Sequence, residues 1–236
     1  MSEGDASAKW DPGTSMEALW DRLAKENAVS AICYRATPEW FEESGQRDGK
    51  YLAELIYFFF EDPVSVTVLD IGGGTGRTAK YLAPVVGTYH LLDVSGEMLR
   101  QAADRMPMMT KSGKVVLVKG SGHSLEAVAD GSIQFAFAHM VFQHMDREVT
   151  LRYLRDLPRV LADDGVAWLQ LPAMRYPQRF DEADRGDWPA NFRRWYPGEF
   201  LEVCLRSGLS VIAADCDALE VIVAKCPVVP WLGGGD

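Results

Sequence analysis

Apolar positions in the first part of the chain recur every three or four residues, which is the spacing of one helix face. Leu19 and Leu23 fall on the same side of a helix that we predict over Met16–Val29. Thr37 followed by Pro38 is a typical helix start, because the first helical turn leaves its N–H groups unpaired and proline has none to lose. The pattern therefore predicts helices ahead of the first strand.

The second predicted helix contains a glycine that weakens it. Gly45 interrupts the helical pattern that begins at Pro38, so we predict a break there and a separate helix over Asp48–Phe60. The apolar stretch Tyr51–Phe60 is too short to span a bilayer and contains Glu54, which indicates a buried helix of a folded domain. No membrane segment is predicted.

From Val64 onward, runs rich in β-branched residues alternate with helix-like segments. The runs that we predict as strands are Val64–Ile71, Thr88–Val94, Lys114–Gly120, Ser132–Ala138 and Gly165–Pro172. The intervening segments that we predict as helices are Thr75–Ala83, Ser95–Met106, Ser124–Ala129 and Arg147–Leu161. Such alternation predicts parallel strands joined by right-handed crossovers, with helices on both faces of the sheet.

The end of the chain has a different pattern. Two apolar runs within residues 209–225 are separated by Asp-Cys-Asp-Ala, a short connection that suits an antiparallel pair. The predicted fold class is therefore α/β, with seven strands in a mostly parallel sheet that finishes in a C-terminal antiparallel hairpin.

The 236-residue chain is 47% hydrophobic and 25% charged, which is enough apolar material to bury one core, so we expect a single domain. Its net charge of −10 disfavours nucleic acid as a partner, because proteins usually hold phosphate backbones with basic patches. Residues 2–15 lack the basic and apolar regions of a secretory signal. The cysteines, which have no C-x-x-C spacing, are Cys33, Cys204, Cys216 and Cys226. We expect a cytoplasmic protein with reduced cysteines.

The densest group of glycines follows the first predicted strand. Asp70 ends the apolar part of that strand, glycines stand at positions 72, 73, 74 and 76, and Asp93 ends the second strand. Missing Cβ atoms permit unusual φ values and let a ligand approach the backbone, while the N–H groups that open the next helix favour an anion. The carboxylate of Asp93 can accept hydrogen bonds from both ribose hydroxyls of an adenosine.

The glycine spacing distinguishes this turn from other nucleotide-binding turns. A dinucleotide fingerprint needs a glycine where Arg77 stands, and a P-loop needs Lys-Ser or Lys-Thr after the glycines. The pattern D-x-G-x-G-x-G with a later acidic residue resembles the class I methyltransferases that use S-adenosylmethionine. The resemblance implies that the turn passes the methionine part and that the second carboxylate holds the ribose. The residues concerned are Asp70, Gly72, Gly74, Gly76 and Asp93.

Other stretches between Val64 and Pro172, about half of the chain, resemble the same family. In "LLDVSGEML" the resemblance places Val94 against the adenine. In "VKGSGHSL", Ser121 stands where the family often has an Asp that contacts the adenine amino group, so either Ser121 or the backbone N–H of Gly122 takes that contact. His139 follows the fourth strand, and its backbone is expected to border the cofactor.

The resemblance also implies a Rossmann-like sheet, S-adenosyl-L-methionine as cofactor and S-adenosyl-L-homocysteine as its product. We expect residues 1–15 to be a flexible N-terminus and residues 16–236 to form one methyltransferase domain. Its expected parts are N-terminal cap helices (16–62), a cofactor-binding core (63–172), a substrate-lid insert (173–200) and a C-terminal helix and hairpin (201–236).

Methyl transfer to oxygen or nitrogen can require a general base. His144 follows the fourth strand on the ligand side of the sheet, and we predict that it is this base; a structural histidine is the alternative, since family members of many specificities carry one nearby. His139 and His144 are five positions apart, which does not suit two metal ligands on one helix face, so no metal is predicted.

Aromatic and basic residues outside the family-like core are the candidates for acceptor binding. They are Trp40, Arg175, Tyr176 and Trp195; packing and solvated ion pairs are the alternatives. The predicted function is methyl transfer by SN2 displacement to a small molecule, at oxygen, as in bacterial enzymes that tailor metabolites. The alternatives are N-methylation of a small molecule or peptide, and a non-catalytic cofactor-binding module. Monomer and homodimer both stay open.

Overall fold

The structure, a computed structural model, describes residues 15–32, 36–174 and 193–225. The helices in these ranges are α1 Met16–Ile32, α2 Pro38–Phe59, α3 Ala79–Leu82, α4 Gly96–Arg105, α5 Pro107–Lys111, α6 Arg147–Val160 and α7 Pro197–Arg206. The strands are β1 Thr67–Ile71, β2 Thr88–Asp93, β3 Val115–Lys119, β4 Ile133–His139, β5 Leu161–Gln170, β6 Leu209–Asp215 and β7 Glu220–Lys225.

The described strands form one sheet in the order β3-β2-β1-β4-β5-β7-β6. Strands β1 to β5 pair in parallel, and β7 lies antiparallel between β5 and β6. The predicted α/β class, with a mostly parallel sheet and a C-terminal antiparallel hairpin, is confirmed. The strand order reverses between β1 and β4, and in open α/β sheets such a reversal opens a crevice at the carboxyl ends of the strands.

The apolar core lies on both faces of the sheet. Successive residues of a strand point to opposite faces, so Val68 and Phe135 join one apolar cluster while Leu69 and Ala136 join the other. Residues of α2, α3 and α4 belong to the first cluster, and residues of α6 and α7 belong to the second. Because both faces are covered, β1 and β4 are apolar and buried over most of their length.

Helix α2 is continuous, so the predicted break at Gly45 is wrong. Thr37 caps the helix as predicted, accepting a hydrogen bond from the backbone N–H of Trp40 at 3.2 Å. A Cβ at Gly45 would lie 2.4 Å from the carbonyl oxygen of Arg77, and one at Gly49 would lie 2.9 Å from Cβ of Tyr81. Two glycines four positions apart therefore let α2 pack closely on the segment after β1, and this contact offsets their low helix propensity.

The segment Ser124–Ala129 is an irregular turn, so the helix predicted there is wrong as well. Its backbone groups bond to side chains of α6: Asp156 accepts from the N–H of Leu125 at 2.7 Å, and Arg159 donates to the carbonyl of Val128 at 3.0 Å. The short segment thus satisfies its backbone without helical hydrogen bonds.

Helix α1 is attached to α4 by a polar contact. Asp21 accepts hydrogen bonds from the Ser95 hydroxyl and from the backbone N–H of Glu97 at 3.0 Å. The Ser95 hydrogen bond is the main cause that lowers the pKa of the Asp21 carboxyl. Asn27 interrupts α1 with extended backbone (φ −167°, ψ 97°), and its side chain caps the following turn through the N–H of Ser30.

The expectations for the cysteines, for membrane segments and for the division of the chain can be compared only with the described residues. Cys204 is buried and Cys216 is exposed, both as free thiols, whereas Cys33 and Cys226 lie outside the described residues. No helix within the described ranges is long and apolar enough to cross a membrane. The division of the chain into four parts stays a prediction, with α7 beginning at Pro197, four residues before the expected C-terminal part.

Candidate functional site

A cavity of about 320 Å³ lies at the carboxyl ends of β1, β2 and β4, where the strand order reverses. Its walls come from the glycine turn, the residues that follow β2 and β4, and helices α1, α2 and α6. This position is the one that open α/β sheets generally use for ligands. The cavity is therefore the candidate site.

The three alternating glycines share an unusual backbone conformation. Gly72, Gly74 and Gly76 have φ values of 71°, 54° and 75°, in the left-handed region that side chains rarely adopt. Gly72 and Gly74 line the cavity, whereas Gly76 does not. A Cβ at Gly76 would lie 2.4 Å from Cε of Met106, so the structure places Gly76 in packing beside α4.

Asp93 connects the end of β2 to the glycine turn. Its side chain lines the cavity and is 8% exposed; Oδ2 accepts from the N–H of Gly74 at 2.9 Å and Oδ1 from the N–H of Ser95 at 2.7 Å. Burial raises the pKa of this carboxyl to about 6, although the two hydrogen bonds act in the opposite direction. Each carboxylate oxygen has two lone pairs, so two hydroxyl groups of a ligand can still donate to it.

Asp70 is the second buried carboxyl of the cavity, with 4% of the residue exposed. Its Oδ2 accepts a hydrogen bond from the Tyr89 hydroxyl at 2.7 Å. Burial raises the pKa of Asp70 to about 7, against the effect of the Tyr89 hydrogen bond and of the nearby positive charge of Arg77. A Cβ at Gly73 would lie 2.6 Å from Oδ2, so the carboxyl needs a glycine there.

Only some of the residues predicted to contact the adenine lie at the cavity. Val94 and Gly122 line the cavity, together with His123. Ser121 does not line it; its exposed side chain accepts a hydrogen bond from the N–H of His123 at 3.2 Å. Of the two alternatives for the adenine contact, the structure places Gly122 at the cavity and Ser121 outside it.

Three polar side chains meet at the cavity wall near the end of β4. We call them the Asp48 cluster: Asp48, Arg77 and His139. Arg77 Nη1 lies 2.6 Å from Asp48 Oδ2, and Arg77 Nη2 lies 3.3 Å from His139 Nδ1. The His139 ring packs edge-on against Trp168, with 5.3 Å between the ring centroids. Burial lowers the pKa of His139 to about 4.

Sequence reasoning missed two members of this cluster. Asp48 lies on α2 beside Gly49, and Arg77 follows the glycine turn. A partial signal existed, because Gly45 and Gly49 mark a helix face that meets another backbone closely, and Asp48 lies between them. The identity of that backbone follows from the fold alone.

His144 lies in a 3₁₀ turn, Phe142–His144, and lines the cavity. Its ring contacts the ring of Trp20 on α1 edge-on, with centroids 5.3 Å apart. Its Nε2 lies 3.1 Å from the side-chain nitrogen of Gln143, a residue that is almost fully buried. The structure thus brings His144 to the same cavity as Asp70 and Asp93.

The predicted acceptor contacts have different positions. Trp40 lines the cavity and is 40% exposed. Trp195 does not line it: the residue is 2% exposed, packs against Phe200, and has the guanidinium of Arg147 4.2 Å from its ring centroid. Arg175 and Tyr176 lie outside the described residues.

Much of the remaining cavity wall is apolar, and sequence reasoning did not assign these residues to the site. They are Met16, Trp20, Ile32, Met98, Val141, Met145 and Val149. Trp20 lies within the helix predicted over Met16–Val29, but an apolar helix pattern cannot tell which ligand or element a given side chain meets. In the part of the chain that the structure describes, no three His, Cys, Asp or Glu side chains are grouped as metal ligands.

Residues 68–165 match a family model described as "Methyltransferase domain". A search of curated proteins gave no match. The family match covers β1 to the first half of β5, which includes Asp70, the glycine turn, Asp93, His139 and His144.

Solved structures of similar fold come from several organisms. A protein from Galdieria sulphuraria, proposed to be a sarcosine dimethylglycine methyltransferase, is 18% identical, with a TM-score of 0.58 over 71% of this chain and 63% of that one. A SAM-dependent methyltransferase from Aquifex aeolicus is 21% identical, with a TM-score of 0.59 over 83% and 96%. Phosphoethanolamine N-methyltransferase 1 from Haemonchus contortus, in complex with phosphoethanolamine and S-adenosylhomocysteine, is 16% identical, with a TM-score of 0.66 over 92% and 51%.

The chain covers less than two thirds of the length of the Galdieria and Haemonchus proteins. At sequence identities this low, the structural similarity shows a shared fold only. Fold, family match and site agree that residues 68–165 are a methyltransferase domain. The methyltransferase-domain match and the sheet topology are those of the class I fold found in S-adenosylmethionine-dependent methyltransferases.

The residues of the cavity fit this cofactor. Asp70 Oδ1 accepts no hydrogen bond from the described residues, so it is available to an ammonium group such as that of the methionine part. The remaining lone pairs of Asp93 suit the two ribose hydroxyls. Gly74, with φ 54° and nothing closer than 3.4 Å to the position of a Cβ, leaves space beside the backbone.

Proposed function

We propose that this chain transfers a methyl group from S-adenosylmethionine to an oxygen atom of a small-molecule acceptor by direct SN2 displacement. One observation carries the proposal: the glycine turn with its two aspartates and the imidazole of His144 line the same cavity. A donor held by the aspartates and an acceptor beside His144 would therefore share one enclosed space. Holding two reactants in line is the main requirement of such a displacement.

The chain contributes to this reaction by positioning the two reactants and by excluding water. When bound, S-adenosylmethionine supplies a methyl group on a positively charged sulfur, which is already a good leaving group. Asp70 holds the ammonium end and Asp93 the ribose, so the methyl group has a fixed direction. Trp20, Met145 and Val149 provide apolar surface that keeps water from the reacting atoms.

His144 takes the proton of the acceptor hydroxyl in this proposal. Its ring is oriented by the edge contact with Trp20 and by the contact of Nε2 with the Gln143 amide. The base role requires this amide to present its buried oxygen, which has no other partner among the described residues, to an Nε2–H group, so that Nδ1 carries no proton and can accept one. Histidine is the usual general base near neutral pH, and an oriented ring loses little freedom when it accepts a proton from a bound ligand. Trp40, which is partly exposed at the cavity, is available for contact with the acceptor.

Two alternatives remain as outcomes of the test. Nitrogen is the other possible acceptor atom, on a small molecule or a peptide, and the Haemonchus protein of similar fold is itself a phosphoethanolamine N-methyltransferase. An amine that is already neutral needs no base, so an N-methyltransferase would depend less on His144. A non-catalytic module would bind the cofactor and turn over no acceptor.

The first experiment is isothermal titration with S-adenosylmethionine and S-adenosylhomocysteine. The wild-type chain should bind both, and Asp93→Ala should lose about 1–3 kcal/mol of binding free energy, because the ribose hydroxyls lose their acceptor. A wild-type chain that binds neither ligand would end the proposal.

The second experiment measures turnover against panels of hydroxylated and amine-bearing small molecules with methyl-labelled cofactor. We expect His144→Gln to lower kcat for a hydroxyl acceptor by about 10²- to 10⁴-fold, because the general base is lost. The affinity for S-adenosylhomocysteine should not change. Near-normal turnover by the variant would remove His144 from the mechanism, and turnover of amines alone would favour N-methylation.

A further inference from the structure

One nitrogen of the His139 ring faces a side chain that can only donate hydrogen bonds. Arg77 Nη2 lies 3.3 Å from His139 Nδ1. A guanidinium has N–H donors and no acceptor, so a hydrogen bond in this contact requires Nδ1 to accept and to carry no proton. The proton of the neutral ring is therefore on Nε2.

Arg77 is held in place from α2. Its Nη1 donates to Asp48 Oδ2 at 2.6 Å and to Ser44 Oγ at 3.1 Å, and the side chains of Arg77 and Asp48 are only 12% and 15% exposed. Asp48 Oδ2 is 3.5 Å from His139 Nδ1, which favours a charged ring, but this carboxylate is already paired with Arg77. Burial and the adjacent guanidinium both disfavour protonation of the ring, and they outweigh Asp48.

The sheet register places His139 beside the glycine turn. β1 and β4 are parallel, with Asp70 opposite Phe137, so Gly72 and His139 come at the same level two residues further along. Gly72 and His139 both line the cavity. In the described part of the chain, His139 Nε2 has no hydrogen-bond partner.

The methionine part of the cofactor carries an ammonium and a carboxylate on the same carbon atom. A site that holds the ammonium at Asp70 therefore needs a hydrogen-bond donor for the carboxylate within a few ångströms. Arg77 is already bonded to Asp48, Ser44 and His139. The Nε2–H group of His139 is a partly buried side-chain donor at this end of the cavity. Thr78 and Arg47 also line the cavity, but Arg47 is 67% exposed and its Nε is bonded to Asp48.

We propose that His139, fixed by Arg77 as the Nε2–H tautomer, donates a hydrogen bond to the carboxylate of the cofactor's methionine part. This inference rests on the cofactor site of the proposed function. It makes His139 a residue that selects the complete amino-acid end of the cofactor. It also excludes His139 as the base, because its Nδ1 is occupied and its Nε2 already carries a proton.

The test compares ligands that differ at the amino-acid end. S-adenosylhomocysteine has both charged groups of the amino-acid end, decarboxylated S-adenosylmethionine has the ammonium and a methylated, positively charged sulfur but no carboxylate, and 5′-methylthioadenosine lacks both groups. His139→Phe keeps an aromatic ring against Trp168 but removes the donor, whereas His139→Gln keeps an N–H donor near the place of Nε2. By isothermal titration, His139→Phe should weaken S-adenosylhomocysteine about tenfold and leave the other two ligands unchanged, and His139→Gln should recover most of the loss.

Each other result has a definite meaning. Equal losses for all three ligands would show that His139 only supports the cavity wall, and no loss for S-adenosylhomocysteine would show that the carboxylate is bound elsewhere; either overturns the inference. If wild type binds neither S-adenosylhomocysteine nor 5′-methylthioadenosine, the proposed function fails instead.

A second measurement needs no substitution at His139. Nitrogen-15 NMR of the histidine side chains in the wild-type protein with S-adenosylhomocysteine should show the His139 proton on Nε2 at pH 7. A proton on Nδ1, or a doubly protonated ring, would contradict the inference even if the variants failed to fold.

Discussion

At the scale of single residues, the buried carboxyls of the site are paired with groups from other elements. Asp70 on β1 accepts one hydrogen bond from the fully buried Tyr89 on β2. This bond favours the ionised carboxyl and offsets part of the burial that raises its pKa to about 7. Tyr89 therefore helps to keep Asp70 charged, which is the state that can hold an ammonium group.

Tyr89→Phe removes the hydroxyl and keeps the ring. We expect the pKa of Asp70 to rise above its already raised value, so at pH 7 less of the carboxyl is ionised than in wild type. The variant should bind S-adenosylhomocysteine several-fold more weakly than wild type at pH 7. This difference in affinity should shrink at about pH 8.5, where Asp70 is ionised in both proteins. Titration calorimetry at the two pH values measures it; 5′-methylthioadenosine, which has no ammonium, is the control. A deficit that does not change with pH would contradict the expectation.

At the scale of elements, close packing of α2 decides which residues reach the cavity. The small residues Ser44, Gly45 and Gly49 bring α2 against the segment that contains Arg77. Asp48, on the same helix, can then pair with Arg77 at 2.6 Å. A bulkier face would separate the two side chains and leave a buried charge without its partner, which costs several kcal/mol.

Gly45→Ala tests this packing. Alanine favours helix formation, yet its Cβ would lie 2.4 Å from the backbone oxygen of Arg77, so we expect a loss of about 1–3 kcal/mol in the free energy of unfolding. Gly198→Ala on α7 is the matched control, because nothing lies within 4 Å of that Cβ position, and it should stabilise the protein by up to about 1 kcal/mol. Urea unfolding measures both; equal effects of the two variants would show that Gly45 is not a packing position.

At the scale of the whole molecule, the cavity collects residues from Met16 on α1 to Tyr153 on α6. The strand order explains how: the chain passes outward from β1 to β3 and returns across β1 to β4, so the two halves of the core meet at one crevice. α1 joins the cavity through its contact with α4, where Asp21 bonds to Ser95 and Glu97. A ligand in the cavity therefore touches segments that are distant in sequence.

Hydrogen exchange with and without S-adenosylhomocysteine tests this arrangement. Because α1 contributes Met16, Trp20, Ala31 and Ile32 to the wall, ligand binding should slow exchange of α1 amides several-fold. α7 contributes no residue to the cavity and should not respond. Unchanged exchange in α1 at saturating ligand would mean that the helix does not close the site.

The sequence alone predicted the parts of this protein that depend on local pattern. Alternation of strands and helices indicated the parallel sheet, and the apolar runs around Asp-Cys-Asp-Ala indicated the hairpin. The glycine spacing after Asp70, with Asp93 at the end of the next strand, carried the family resemblance that predicted the cofactor. These features can be predicted from the sequence because backbone conformation and strand periodicity depend on neighbouring residues.

Only the tertiary structure decided how distant segments meet. It made Gly45 a contact position instead of a helix break, joined Asp48 and Arg77 to His139, and set Trp20 against His144. Helix propensity describes one residue in its own turn, whereas these contacts depend on the approach of elements that are far apart along the chain. The physical reason is that close packing and buried charge pairs are free energies of the assembled molecule, and no segment has them by itself.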